Sequence, residues 1–124
     1  PDLYSDGRRF EPDVENSAGI FGLYARLTEI METRPREIEA RIMQLTDRLC
    51  EGLQYKDYVV TSPRGKKEKS GIVTFVHPNF QTEEIYKRLI DANIIVGLQG
   101  MGVQVSPHYY NTKEEIENLL DALS

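Results

Sequence analysis

The chain is most tightly constrained between Val103 and Glu115, where a strand, its stop and a helix start follow one another without a gap. Val103 and Val105 alternate with Gln104 and Ser106, the two-residue period of a strand buried on one side. Pro107 ends the pairing, because it has no N–H to give to a neighbouring strand. After the aromatic bend His108-Tyr109-Tyr110, either Asn111 or Thr112 can cap a helix, and Glu114 and Glu115 set negative charge against its positive end. Ile116, Leu119, Leu120 and Leu123 then share one helix face. The alternation holds Gln104 and Ser106 off the apolar side of the strand, which makes Gln104 the polar side chain to follow.

The elements upstream can be placed from the same signals. Residues 1–16 are polar and irregular, broken by Gly7 and Pro12. A helix starts near Asn16 or Ser17 and carries Ile20, Leu23, Leu27, Ile30 and Met31 as an apolar stripe. Thr33 can cap a second helix, with Pro35 in its first turn and Ile38, Ile42, Leu45, Leu49 and Leu53 along one face. Tyr58–Ser62 and Ile72–Val76 read as strands rich in β-branched residues, with the cationic run Arg64, Lys66, Lys67 and Lys69 in a solvated loop between them. Thr82 can cap a helix bearing Ile85, Leu89 and Ile90. A further strand runs from Ile94 to Leu98, and the glycines between Gly97 and Gly102 make a tight connection to the last strand.

This order predicts an α+β fold: a four-stranded, mainly antiparallel sheet with helices packed on one face. Strands fall near 58–62, 70–76, 94–98 and 102–106. The opposite sheet face is only partly apolar and carries Gln104, Ser106 and the glycine turn. A sheet with such a face implies a partner to cover it.

Composition limits the function. A net charge of −5 over 124 residues argues against nucleic acid or an anionic membrane surface as partner. No apolar run approaches the roughly 18 residues of a membrane span. The single cysteine, Cys50, leaves no internal disulfide and fits a reducing compartment such as the cytoplasm. The chain opens at Pro1 in mid-pattern, as a piece of a longer protein would.

No catalytic constellation is complete within the sequence. Cys50 borders the apolar face of the second helix and reads as a small packed thiol, with no base beside it to form thiolate. His77 and His108 have no partner at metal-ligand spacing and suit turns or interfaces. The glycines at 97, 100 and 102 do not follow the dinucleotide fingerprint, and no helix opens after them. Like charges without an ordered backbone cradle make the cationic run a poor phosphate site.

The stretch Ser106-Pro-His-Tyr-Tyr-Asn-Thr-Lys-Glu-Glu-Ile116 resembles the C-terminal signature of class V aminotransferases, the cysteine-desulfurase-like branch of fold-type I pyridoxal-phosphate (PLP) enzymes. Arg9–Asn16 with Gly19–Leu23 is similar to the family's segment leading into the small domain, Ser70–Phe75 to its central strand, and Ile94–Gly102 to its next strand and turn. The resemblance covers nearly the whole chain but only the last third of such an enzyme. It implies residues 1–16 as a connecting segment and 17–124 as the C-terminal small domain. The missing partner is then the large domain, which carries the lysine that binds PLP, and a homodimer is implied for the intact enzyme. PLP is implied for that enzyme, with none held by this chain, which would be inactive alone.

Two departures from the family's pattern fall at functional positions. The family commonly has an arginine for the substrate carboxylate where this chain has Gln104, which is therefore its candidate substrate-binding residue. A threonine that reaches the PLP phosphate is replaced here, where the pair reads Asp13-Val14. Leu98–Val103 also lacks the catalytic cysteine of the desulfurases, so the resemblance implies an aminotransferase- or epimerase-like parent. The other readings are a stand-alone ligand-binding or regulatory module, and a scaffold domain of a degenerate PLP enzyme.

Overall fold

The computed structural model describes residues 4–10 and 16–123. Asp13 and Val14 lie outside the described residues. The chain divides into two units, Pro1–Arg34 and Pro35–Ser124.

The first unit holds a short 3-10 turn, Gly7–Phe10, and helix α1, Ser17–Thr33. Asn16 caps α1: its Oδ1 accepts the N–H of Gly19 at 3.0 Å. Ile20, Leu23, Leu27 and Met31 lie along α1, but the helix buries none of its side chains. Thr33 does not cap the next helix. It is the last residue of α1, and Arg34, with φ 68, makes the break that Thr33 was expected to supply.

The second unit is a sheet under three helices. Its elements are α2 (Pro35–Tyr55), β1 (Val59–Val60), β2 (Val73–Val76), α3 (Thr82–Asp91), β3 (Gly97–Gln99), β4 (Gly102–Val105) and α4 (Lys113–Ala122). The four strands form one sheet in the order β1-β2-β4-β3, and every neighbouring pair is antiparallel. The strands are shorter than the apolar runs that announce them, and Ile94–Val96 stays outside the ladder. Gly100 at φ 60 permits the tight turn from β3 into β4.

Register decides which side chains meet the helices. Val73 lies opposite Val105 and Phe75 opposite Val103, and all four are buried. Against them pack Leu45, Leu49 and Leu53 of α2, Ile85 and Leu89 of α3, and Ile116, Leu119 and Leu120 of α4. One continuous core therefore lies on one side of the sheet, and the expected α+β layer pair is what the chain forms. Tyr58, next to β1, is also in this core. Its ring stands edge-on to Phe75 at 5.5 Å, and its hydroxyl donates to the Leu123 carbonyl at 3.1 Å.

Polar contacts lock the helices in place. Arg48 of α2 grips Glu117 of α4 with both ends of its fork, at 2.7 and 2.6 Å. Thr112 caps α4 and receives the N–H of Glu115, whose carboxylate accepts the Thr112 N–H in return. For α3 the cap is Gln81 rather than Thr82, because Gln81 is the extended residue and its N–H donates to Glu84 Oε2 at 3.2 Å. Thr82 instead donates its hydroxyl to the Met101 carbonyl, tying the start of α3 to the glycine turn.

The cationic run is only partly solvated. Arg64 reaches Asp47 Oδ1 and Lys69 reaches Asp47 Oδ2, both at 2.6 Å, so one carboxylate on α2 clamps two ends of the loop. Arg64 also donates to Thr46 Oγ1 and to the Ser70 carbonyl. Lys66 and Lys67 remain exposed.

Candidate functional site

The candidate site is built on β4. Val103 and Val105 point into the core, so the side chain of Gln104 between them projects from the other face, as strand alternation requires. Its cross-strand neighbours are Thr74 on β2 and Gly97 on β3. The Gln104 amide Nε2 donates to Ser106 Oγ at 3.1 Å, two residues along the same face. The structure thus brings Gln104 and Ser106 together, with the glycine turn beside them.

The two glycines nearest Gln104 differ in what the fold asks of them. A Cβ on Gly102 would meet Thr74 Cγ2 at 2.7 Å and the Phe75 carbonyl oxygen at 3.1 Å, so Thr74 would have to shift and the β2 backbone to give. The close approach of β2 and β4 therefore favours glycine at Gly102. A Cβ on Gly97 would meet nothing nearer than Gln104 Cβ at 3.7 Å, an ordinary contact.

Beyond Pro107 the aromatic bend is organised by Asn111. Its Oδ1 accepts the His108 N–H at 2.7 Å, its Nδ2 donates to Glu115 Oε2, and its carbonyl accepts from Arg41 Nη2 at 3.1 Å. The His108 ring stacks on Tyr110 with centroids 4.8 Å apart, and its Nδ1 is buried without a hydrogen-bond partner among the described residues. This bend borders an open groove of about 600 Å³ between Ile94–Val96, Ser106, Pro107 and the Glu115–Leu119 face of α4. Sequence reasoning missed the groove and the part Asn111 plays. The Ser-Pro pair was the available signal for the groove, since a strand that stops early leaves space over the helix beyond it.

Among the described residues the groove's one charged lining group is Glu115, whose carboxyl is held below the usual range by the Thr112 N–H and then by the Asn111 amide. No lysine lines it.

The remaining candidates sit apart from β4. His77 accepts the Asn79 N–H on Nδ1 at 3.1 Å and stacks on Phe80, so it serves a turn. Cys50 is buried in α2, and burial pushes its thiol up, against thiolate formation. Among the described residues no group of three His, Cys, Asp or Glu side chains could hold a metal ion, and no helix is long and apolar enough to cross a membrane.

Comparison with known proteins bears on this arrangement. Residues 3–119 match the family profile described as aminotransferase class-V. No curated protein matches. Among solved structures, the apo cysteine desulfurase of Thermococcus onnurineus NA1 is similar over 99% of this chain and 36% of its own, at 27% identity and TM-score 0.85. The cysteine desulfurase CsdA of Escherichia coli is similar over 91% of this chain and 31% of its own, at 19% identity and TM-score 0.79. A NifS-like protein of Rickettsia africae ESF-5 is similar over 98% of this chain and 38% of its own, at 20% identity and TM-score 0.73. The likenesses at 19% and 20% identity concern the fold alone. The chain spans little more than a third of the length of the first of these structures.

Proposed function

The chain belongs to the class-V aminotransferase family, and from that membership we propose that it is the C-terminal small domain of a longer PLP-dependent enzyme acting on an amino-acid-like substrate. The observation that carries this reading is the coverage. A likeness spanning 99% of this chain accounts for only 36% of the Thermococcus onnurineus enzyme, and the sheet face bearing Gln104 stands opposite the helix-packed core. The rest of such an enzyme is the partner that would complete a site there.

PLP supplies an electron sink once bound to a substrate's amino group. The described residues do not fit that group by themselves. The groove offers no lysine, and an ionised Glu115 opposes a phosphate. The cofactor is therefore assigned to the large domain, and this chain to closing over the substrate. Residues 1–16 would connect the two domains, with 17–124 forming the small one. A homodimer in the cytoplasm is the setting we assign to the intact enzyme.

Within the family, an aminotransferase- or epimerase-like reaction is preferred to desulfuration. The desulfurase reading needs a reactive cysteine near the substrate. Leu98–Val103 contains none, and Cys50 is buried in α2. The reading frame that encodes the chain provides the test: several hundred upstream residues including a PLP lysine are expected. A frame coding for no such domain would make the chain a stand-alone module.

A further inference from the structure

The strand order β1-β2-β4-β3 gives the sheet two edges, β1 and β3. An exposed edge offers unpaired backbone N–H and C=O groups to any passing strand, and chains blunt that hazard with charge and proline. β1 is blunted in both ways: it is two residues long, follows Lys56 and Asp57, and runs toward Pro63 and Arg64. β3 is not. In a chain that is 28% charged, residues 92–112 contain no Asp, Glu, Lys or Arg, and no proline precedes Pro107 in that run. Ile95, Leu98 and Met101 stand on this edge 93%, 49% and 87% exposed.

Charge and register both say what fits there. A net charge of −5 sets copies of the chain against one another, so a second copy approaches at least cost along an uncharged stretch. The stretch is also complementary to itself. Leu98 is in register with buried Val103 and Val96 packs against the core, so these two lie on the helix side of the strand. Ile95, Gly97 and Gln99 alternate to the other face. Antiparallel pairing centred on Gly97 sets Val96 against the second copy's Leu98, and Ile95 against its Gln99, each on a matching face. Glycine on the two-fold axis puts no side chain against its twin.

We propose that the β3 edge, residues 95–99, is an interface with a second copy of this chain. The two sheets join into one of eight strands, and the two-fold axis keeps both helix layers on the same side. The pairing uses only the chain's own edge, whichever enzyme the chain serves.

Sedimentation of the 124-residue chain across the micromolar range tests this, with a monomer–dimer equilibrium expected. Ile95→Lys with Gln99→Lys, both at exposed positions, sets like charges opposite each other twice and should weaken the dimer about tenfold or more. Ile95→Lys with Gln99→Glu sets opposite charges there and should dimerise at least as well as wild type. The register is read separately from Gly97→Cys, whose new Cβ makes only ordinary contacts, the nearest at 3.7 Å. Directly opposed residues of antiparallel strands have Cα atoms about 4.5–5.5 Å apart, within disulfide reach. Diamide oxidation should therefore link two copies through position 97, as mapped by mass spectrometry. Where the lysine pair unfolds the chain, the cross-link alone decides. A monomeric wild type would leave the edge to another occupant, such as the rest of a longer protein, and overturn the proposal. So would a dimer indifferent to the lysine pair, which would place the contact elsewhere, for instance on the exposed apolar stripe of α1, or a failure of position 97 to cross-link.

Discussion

At the residue scale, the proposed function turns on Gln104. A carboxylate met only by an amide forgoes charge-assisted bonding worth about 1.5–3 kcal/mol, roughly ten- to a hundredfold in affinity. In the full-length enzyme, Gln104→Arg should therefore improve binding of ordinary α-amino acids by about that factor. Substrate titrations of wild type and variant would check it, and efficient wild-type turnover damaged by the arginine would show a differently built site. Gly102→Ala should cost the fold about 1–3 kcal/mol by urea denaturation, because the new methyl presses on the Phe75 carbonyl as well as on Thr74. The side on which Gln104 lies could be read from the sequence, since alternation between two valines leaves it one direction. The knot around Asn111 could not, because it joins Arg41 on α2 to a bend 70 residues away.

At the element scale, helices were placed by periodicity and their ends by local chemistry that several residues could supply. Thr33 and Thr82 each looked able to cap, and each was displaced by a neighbour whose backbone makes the break: Arg34 in one case, extended Gln81 in the other. The loop charges followed the same pattern. Arg64 and Lys69 were indistinguishable from Lys66 and Lys67 until the fold brought Asp47 beneath them. That clamp has a pH signature. The Lys69 hydrogen bond, with Arg64 adding to it, holds the Asp47 carboxyl below its usual range. A depressed folded value means stability present above the unfolded pKa of about 3.9 and lost as pH falls through the folded one. The stability gap between wild type and Asp47→Asn should therefore close on acidification below about pH 4, and a modest gap is expected because the carboxylate is 44% exposed. A gap that stays constant with pH would refute the clamp. On the helix layer, Gly52→Ala should destabilise despite its better helix propensity. The added methyl would sit 2.2 Å from Leu120 Cδ1, 2.7 Å from its Cδ2 and 3.0 Å from its Cγ, so the whole buried side chain must shift out of its packing. Overpacking costs about 1–3 kcal/mol against a propensity gain of at most about 1 kcal/mol.

At the scale of the whole molecule, the layer architecture followed from hydrophobic periods, because one apolar face per element leaves few ways to stack them. The groove beside Pro107 did not, since it arises where elements distant in sequence fail to meet. The central claim is that this chain lacks the means to hold PLP and takes its place in an enzyme that supplies them. Its most direct test is to titrate the purified chain with PLP, reduce with borohydride, and map the products by mass spectrometry. Weak, substoichiometric labelling scattered over lysines such as Lys66, Lys67, Lys87 and Lys113 is the predicted result. A stoichiometric adduct confined to one lysine would contradict it.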